Sequence, residues 1–327
     1  MKPFHLAHCA LCAKASIPEV EAVIALLGPI MRQELRQVAE VVFRELLERL
    51  SAFSASLGAP DVDVLAQAGR DRDEVLDAIL AALWAVILQN YGAMLSGNVR
   101  QTVEDGIDAL FAFAVQDGGF PLDPAKAGLL KQAAVSQLDT LIQQTVVGRE
   151  EQARQLLTTY LTTAGPREAA AATLSAAAGD SGMSLETFQQ ELARILAPET
   201  AVEATVDVWA YSVQNVAAVE AAVDAGARAF EVVAVGGKAG DGRTTRFCRW
   251  AHGRIVPFKR IEKQIKDLRN ASLGSRAAAI QAAWPFLDPE TARNGNELVF
   301  ELFFRRAGLP PYHFGCRSKV RAIRIRR

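Results

Sequence analysis

The chain has 327 residues, of which half are hydrophobic and 22% are charged, and its formal net charge is −1. These values are ordinary for a soluble globular protein, and the length predicts about two to three domains. The longest apolar run, residues 78–88, is shorter than the roughly 20 residues that a membrane-spanning helix needs. One Lys and two His near the start argue against a secretory signal, and four cysteines argue against a disulfide scaffold. We therefore expect a reducing compartment.

Charge is distributed unevenly along the chain. Residues 241–327 hold 19 Lys and Arg against 7 Asp and Glu, whereas residues 1–240 hold 17 against 30. This asymmetry predicts a basic surface suited to nucleic acid or to an acidic partner. The predicted contact residues are Arg317, Lys319, Arg321, Arg324, Arg326 and Arg327. Apolar residues alternate with them, so a strand with a solvated basic face is an equal alternative.

The N-terminal region has the apolar spacing of helices. Helices are predicted over residues 19–56, 73–97, 98–117 and 124–160. The first is either continuous or divided at Gly28-Pro29, because proline disrupts a helix interior. Gly165-Pro166 marks a domain boundary near residue 165. We therefore expect a Cys/His-containing segment at 1–16, followed by a helical bundle over 17–165 that docks a partner.

Residues 166–327 change from helical to mixed character. Helices are predicted over 184–195 and 199–225, and Gly226 is a suitable residue to end the second. The β-branched run over 229–235 then predicts a strand. The expected fold class is α+β overall and predominantly α, with a helical N-terminal region and a small α+β C-terminal domain. Its basic α+β core begins near residue 228.

Cysteine and histidine are scarce, with four of each, and they cluster at two places. Two motifs near the C-terminus hold half of them. Their notable residues are Asp241, Arg243, Thr244, Cys248, His252 and Gly253 in the first, and Pro310, Pro311, His313, Cys316 and Arg317 in the second. The other four are His5, His8, Cys9 and Cys12. Residues 13–247 contain neither residue type.

The C-terminal cluster suggests a metal site. Thiolate and imidazole donors in a Cys-x3-His and a His-x2-Cys spacing form a set that tetrahedral zinc accepts. The candidate ligands are Cys248, His252, His313 and Cys316. Alternatively, the two cysteines are packed thiols or a disulfide, and His313 binds nothing.

The N-terminal cluster is a less favoured metal site. Its members fall at i, i+3, i+4 and i+7, on one face of a helix. A single helix wraps a tetrahedral ion poorly, so a docking helix with a Cys/His stripe is the alternative.

Catalysis has little support in the sequence. Asp241, His313 and either Cys248 or Cys316 can be drawn as a Cys-His-Asp site, but the flanking residues carry no hydrolase signature. No glycine-rich phosphate-binding loop is present. We expect no enzymatic activity. Instead, Asp241 and its neighbours are expected to fix an irregular loop by hydrogen bonds.

The two motifs together resemble the phage Mu F-like head morphogenesis family, the minor head proteins of tailed bacteriophages. The shared pattern is a long helix, a strand, Asp-x-Arg-Thr, a Cys, a Gly-containing turn and a final Pro-Pro-x-His-x-x-Cys-Arg, and it covers about residues 199–327. The chain departs from this pattern at two positions. Many relatives carry Cys where Thr245 stands, and another where Ser318 follows Arg317.

The resemblance implies a structural role. Such a protein is a capsid component near the portal vertex, inside the virion head and in the host cytoplasm during assembly, and it aids head assembly or DNA packaging and ejection. The implied partners are the portal protein, the major capsid or scaffold protein and packaged DNA, with no membrane. The cofactor is none or one structural zinc ion. Two alternatives are a toxin or hydrolase effector carried on this domain, and a zinc-dependent nucleic-acid-binding protein.

Overall fold

The computed structural model describes most of the chain. The described residues are 18–56, 81, 85, 97–147, 149–163, 185–196, 199–273, 284–313 and 316–323. Several predictions fall outside them. These are the N-terminal segment 1–16 with its Cys/His cluster, nearly all of the helix over 73–97, the boundary near 165, and Arg324, Arg326 and Arg327.

Helices fill the described residues before the first strand. They are α1 (Pro18–Ser56), α2 (Gly97–Gly118), α3 (Pro124–Val147), α4 (Glu150–Thr163), α5 (Leu185–Leu196) and α6 (Glu199–Asp224). α1 continues through Pro29, so the continuous alternative for this segment is correct. None of the described helices is long and apolar enough to cross a bilayer.

Strands and shorter helices make up the C-terminal part. They are β1 (Ala229–Val233), α7 (Arg246–Ala251), β2 (Ile255–Pro257), α8 (Phe258–Leu273), α9 (Pro289–Asn294), α10 (Glu297–Phe304) and β3 (Lys319–Ala322). The expected fold class is confirmed: the chain is predominantly α, with a small antiparallel sheet near its C-terminal end.

The sheet has the strand order β2-β1-β3, and both pairings are antiparallel. Val232 lies opposite Val320 in the β1–β3 register, and both side chains are buried. Glu231 lies opposite Arg321 on the other face, where the two form an ion pair at 2.9 Å. Residues 319–322 therefore form a strand. Its alternation buries Val320 and places the charged side chains of Lys319 and Arg321 on the opposite face.

The described residues form two compact units that interleave along the chain. One comprises residues 18–29, 97–141 and those from 203 onward, and the other comprises 30–56 and the described part of 142–202. In the second unit α4 packs against α5, and the ring centroids of Phe43 and Phe188 lie 6.1 Å apart. The two C-terminal motifs belong to the first unit.

An aromatic cluster holds α7 in the core of the first unit. Phe247 is fully buried, and its ring centroid lies 5.2–5.7 Å from those of Trp250, Phe300, Phe303 and Tyr312. The contacts with Phe300, Phe303 and Tyr312 are edge-to-face, and each such contact adds about 0.5–1.5 kcal/mol to the stabilisation from area burial. Because Cys248 follows Phe247 directly, the same packing fixes the position of the thiol.

Candidate cross-braced Cys-His site

The first motif begins with a loop that Asp241 holds in place. Its Oδ1 accepts hydrogen bonds from the backbone N–H groups of Arg243 and Thr244 at 3.2 Å and 3.1 Å. The Thr244 hydroxyl lies 2.7 Å from Asp241 Oδ1 and 2.9 Å from the carbonyl oxygen of Val235. A Cβ on Gly236 would lie 2.5 Å from the backbone carbon of Gly240, so the loop requires glycine there. These contacts confirm the expectation that Asp241 fixes an irregular loop.

The helix that follows presents Cys248 to the interior. Thr245 is the N-cap of α7, and its hydroxyl accepts a hydrogen bond from the Cys248 backbone N–H. The same hydroxyl lies 3.0 Å from Nε2 of His313 in the second motif. Thr245 therefore both starts the helix and contacts the second motif.

The second motif is held by hydrogen bonds to the carbonyl groups of the two residues before His313. The Trp284 indole N–H donates to the carbonyl of Pro311 at 2.9 Å, and the carbonyl of Tyr312 accepts from the Leu287 N–H at 2.7 Å. The Pro310–Pro311 peptide bond is cis. This segment is buried, so the His313 ring is directed by the protein framework.

Three predicted ligands meet in one buried group, which we call the Cys-His-Cys cluster. The Cys248 Sγ lies 3.1 Å from His313 Nε2 and 3.5 Å from Cys316 Sγ. All three donor atoms lie within 4.8 Å of one another. Their residues are only 1–3% exposed. Cys248 therefore shares one site with His313 and Cys316, which follow it by 65 and 68 residues.

The two thiols differ in acidity. Burial opposes ionisation of Cys316, but the hydrogen bond from Cys248 and the charge of the His313 ring hold the pKa of Cys316 well below its usual range. The hydrogen bond with Cys316, together with burial, raises the pKa of Cys248 well above its usual range. The two pKa values shift in opposite directions, so ionisation of one thiol opposes ionisation of the other, and a bound cation would favour ionisation of both.

His252, the fourth predicted ligand, lies outside the Cys-His-Cys cluster. Its Nδ1 accepts a hydrogen bond from the backbone N–H of Ala234 at 3.2 Å. Burial lowers the pKa of His252, which favours the neutral ring that this bond requires. Gly253 has φ +80° and turns the chain toward β2, and its N–H donates to the carbonyl of Val232. These two residues join α7 to the sheet and do not contribute donors to the cluster.

An ion pair braces the two motifs beside the cluster. The Arg317 Nη2 lies 2.8 Å and 2.6 Å from the two carboxylate oxygens of Asp241. The Arg317 side chain is 8% exposed and that of Asp241 is 31% exposed. Burial alone would raise the pKa of Asp241, but hydrogen bonds from Thr244 and Arg317 lower it to about 2. The carboxylate therefore stays ionised and the brace stays closed at neutral pH.

The Cys-His-Cys cluster supplies three of the four donors that a tetrahedral zinc ion takes. Together with Thr245 and Ser318, its three donors line a cavity of about 10 Å³, close to the volume of one water-sized sphere. The Ser318 Oγ is buried beside the two thiols, and its interaction with each of them favours the thiolate form. Zinc–ligand distances of about 2.0–2.3 Å place neighbouring tetrahedral donors roughly 3.5–3.8 Å apart. The two separations from Cys248 Sγ, 3.1 Å and 3.5 Å, are a few tenths of an ångström shorter. Two thiolates and one imidazole could hold an ion, with an oxygen as fourth ligand.

Sequence reasoning did not predict three polar residues that shape the site. Thr245 and Ser318 are the positions where the resembling family often has cysteine, and both line the cavity of the Cys-His-Cys cluster. A threonine before a short apolar helix is a recognisable N-cap signal. Asn215 of α6 carries no such signal: it donates to the carbonyl of Ser318 and accepts from the N–H of Val320.

Where the structure describes them, the residues predicted to contact nucleic acid form ion pairs within the protein. Arg317 pairs with Asp241. Lys319 pairs with Asp117 at 2.7 Å, and Arg321 pairs with Glu231. These three cations therefore stabilise the fold.

Comparison of the chain with protein-family models, with curated proteins and with solved structures gives no match. The resemblance of its two motifs to the head morphogenesis family therefore rests on the motif residues themselves.

Proposed function

We propose that this chain is a structural minor head protein of a tailed phage or prophage, bound near the portal vertex inside the head. The observation that carries the proposal is the contact of Cys248 with His313 and Cys316, because it joins the two halves of the family pattern. The Asp241–Arg317 ion pair supports it, since both of its residues also belong to that pattern. The head interior, and the host cytoplasm during assembly, are the locations that follow.

The charge distribution supports a division of labour along the chain. The acidic residues before 241 would dock on protein, with the portal protein, the major capsid protein or the scaffold protein as partner. The basic C-terminal part would tolerate the packaged genome, because contacts between Lys or Arg and phosphates are independent of base sequence. In this role the protein aids head assembly or DNA packaging and ejection without catalysing a reaction.

We also propose that the Cys-His-Cys cluster binds one structural zinc ion. When bound, zinc would tie the helix that carries Cys248 to the segment that carries His313 and Cys316. Metal analysis of the purified protein should find one zinc per chain, and Cys248→Ser should remove it. The matched control is Cys9→Ser with Cys12→Ser, which should retain the zinc. Zinc that survives Cys248→Ser, or none in the wild type, would refute this site.

Isolated phage heads test the proposed role as a minor head protein. Heads isolated from the phage or induced prophage that encodes this chain should contain it in far fewer copies than the major capsid protein, as quantitative mass spectrometry can determine. Heads assembled without the portal protein should lack it. A chain that is abundant in the lysate but absent from portal-containing heads would contradict the proposal.

The hydrolase alternative is less well supported by the geometry. A Cys Sγ 3.1 Å from a His Nε2 is suitable for nucleophile activation. However, both side chains are only 3% exposed, and the Asp241 carboxylate accepts hydrogen bonds from Arg317 and from its own loop. We therefore favour the structural role.

A further inference from the structure

A polar cleft of about 520 Å³ lies beside the Cys-His-Cys cluster. Four arginines line it, and we call it the arginine cleft: Arg243, Arg246, Arg249 and Arg293. Thr244 and His313 also line it, so the cleft shares a wall with the cluster. All four arginines are exposed.

The arginines of the cleft differ from the neighbouring cations in forming no salt bridge within the described residues, although the charge of Arg243 acts on the Asp207 carboxyl and lowers its pKa against the effect of burial. In the C-terminal part that the structure describes, Arg317, Lys319 and Arg321 each form an ion pair. Within the described residues none of the four cleft guanidinium groups forms a salt bridge, and no Asp or Glu lines the cleft. Four like charges around one opening repel one another, so the cleft gains free energy from an anion.

The backbone beneath these arginines is fixed before any ligand binds. Arg246 and Arg249 are three residues apart on α7, which the aromatic cluster around Phe247 anchors. Arg243 stands on the loop that Asp241 holds. Arg293 is in the last turn of α9, whose N-cap is Asp288. Such preorganisation reduces the entropy lost on binding.

The chemistry of the walls selects a phosphodiester over an acidic protein segment. Guanidinium groups donate paired hydrogen bonds to phosphate, and threonine hydroxyls add further donors. A protein ligand would need buried apolar anchors, yet among the described residues that line the cleft only Pro289 is apolar. None of these described lining residues is Phe, Tyr or Trp, so recognition by them would be confined to the backbone of the nucleic acid.

We propose that the arginine cleft binds the phosphodiester backbone of nucleic acid without sequence preference. This deepens the proposed head function, since packaged DNA is the nucleic acid that such a protein would meet. It assigns the contact with nucleic acid to the arginine cleft in place of the ion-paired Arg317, Lys319 and Arg321. A failure of this proposal leaves head association untouched, because the two are measured separately.

The test is fluorescence anisotropy of the purified full chain with a labelled 20-base-pair duplex, titrated at several salt concentrations. Arg246→Gln with Arg249→Gln should weaken binding at least tenfold and reduce the slope of log K against log salt by about two. The matched control is Lys266→Gln with Arg306→Gln, which removes two exposed cations that lie outside the cleft and form no salt bridge within the described residues, and it should change affinity less than threefold. A duplex of scrambled sequence should bind equally.

Three results would overturn the proposal. They are an unchanged affinity in the cleft variant, an equal loss in both double variants, and competition by polyglutamate as effective as that by unlabelled DNA at equal charge. Circular dichroism and thermal unfolding check that both variants fold. If the first double variant is unfolded, Arg243→Gln with Arg293→Gln tests the same cleft from the loop and from α9, with the same expected loss.

Discussion

At the scale of single side chains, Asp241 links the loop of the first motif to Arg317 of the second. It accepts hydrogen bonds from two backbone N–H groups of its own loop and from Arg317. We expect Asp241→Ala to lower the free energy of unfolding by about 2 kcal/mol, as is typical for hydrogen bonds to a charged group. Urea unfolding followed by circular dichroism measures this loss.

The control for that substitution is Asp267→Ala. Asp267 pairs with Lys263 one helical turn away on α8, and both side chains are exposed to solvent. Surface pairs of this kind contribute about 0.3–0.5 kcal/mol. An Asp241→Ala effect no larger than that of the control would mean that the brace contributes nothing specific.

The acidity of Asp241 gives a pH dependence with a defined sign. Although burial opposes it, hydrogen bonds from Thr244 and Arg317 lower the pKa of Asp241 from 3.8 to about 2 in the folded protein. The stabilisation is therefore complete above about pH 4 and is lost as the pH falls toward 2. The difference in unfolding free energy between the wild type and Asp241→Asn should be constant from pH 7 to 5 and shrink below pH 4. A difference that stays constant down to pH 3 would contradict this assignment.

The sequence predicted the membership of the Cys-His-Cys cluster but not the exclusion of His252. Cys248 and His252 are four residues apart, so a continuing helix would place them on one face. α7 ends at Ala251, His252 is its C-cap, and the positive φ of Gly253 turns the chain away. A six-residue helix has too few turns for periodicity to predict its end.

Among the secondary-structure elements, β3 depends on α6 as well as on β1. Asn215 of α6 is fully buried; its Oδ1 accepts from the Val320 N–H at 2.9 Å and its Nδ2 donates to the Ser318 carbonyl at 3.3 Å. We expect Asn215→Leu to cost about 2–3 kcal/mol, because two buried backbone groups lose their partner.

Hydrogen exchange and urea unfolding check the role of Asn215. The Val320 amide should exchange faster in Asn215→Leu than in the wild type. Asn270→Leu on the exposed face of α8 is the control and should change neither quantity. Unchanged protection of Val320 in Asn215→Leu would mean that β3 is held by β1 alone.

Long and short elements differ in how far the sequence predicts them. α1, α2, α5 and α6 follow the predicted ranges within one or two residues, since their periodicity extends over several turns. β1 ends two residues earlier than predicted, at Val233. β2 has three residues, too few to show alternation, and forms because β1 offers it a partner. α9 and α10 carry the caps Asp288 and Asn296, signals that periodicity alone does not use.

For the chain as a whole, the uneven distribution of charge was evident from the sequence, but which of the cations form ion pairs was not. Arg317, Lys319 and Arg321 lie 76, 202 and 90 residues from their acidic partners. Such pairs follow from the tertiary fold, so composition cannot reveal which cations are neutralised. Within the described residues the four arginines of the arginine cleft form no salt bridge, and the first motif supplies three of them.

The first and second motifs form one buried unit, and oxidative trapping tests this directly. The metal-free native protein is oxidised mildly, digested, and its linked peptides are identified by mass spectrometry, with urea-denatured protein as the control. The Cys248 and Cys316 sulfurs lie 3.5 Å apart, so the native protein should give Cys248–Cys316 as the predominant disulfide. Denatured protein should give mixed pairs that include Cys9 and Cys12. Native protein in which Cys248 links to Cys9 or Cys12 as readily as to Cys316 would contradict the account.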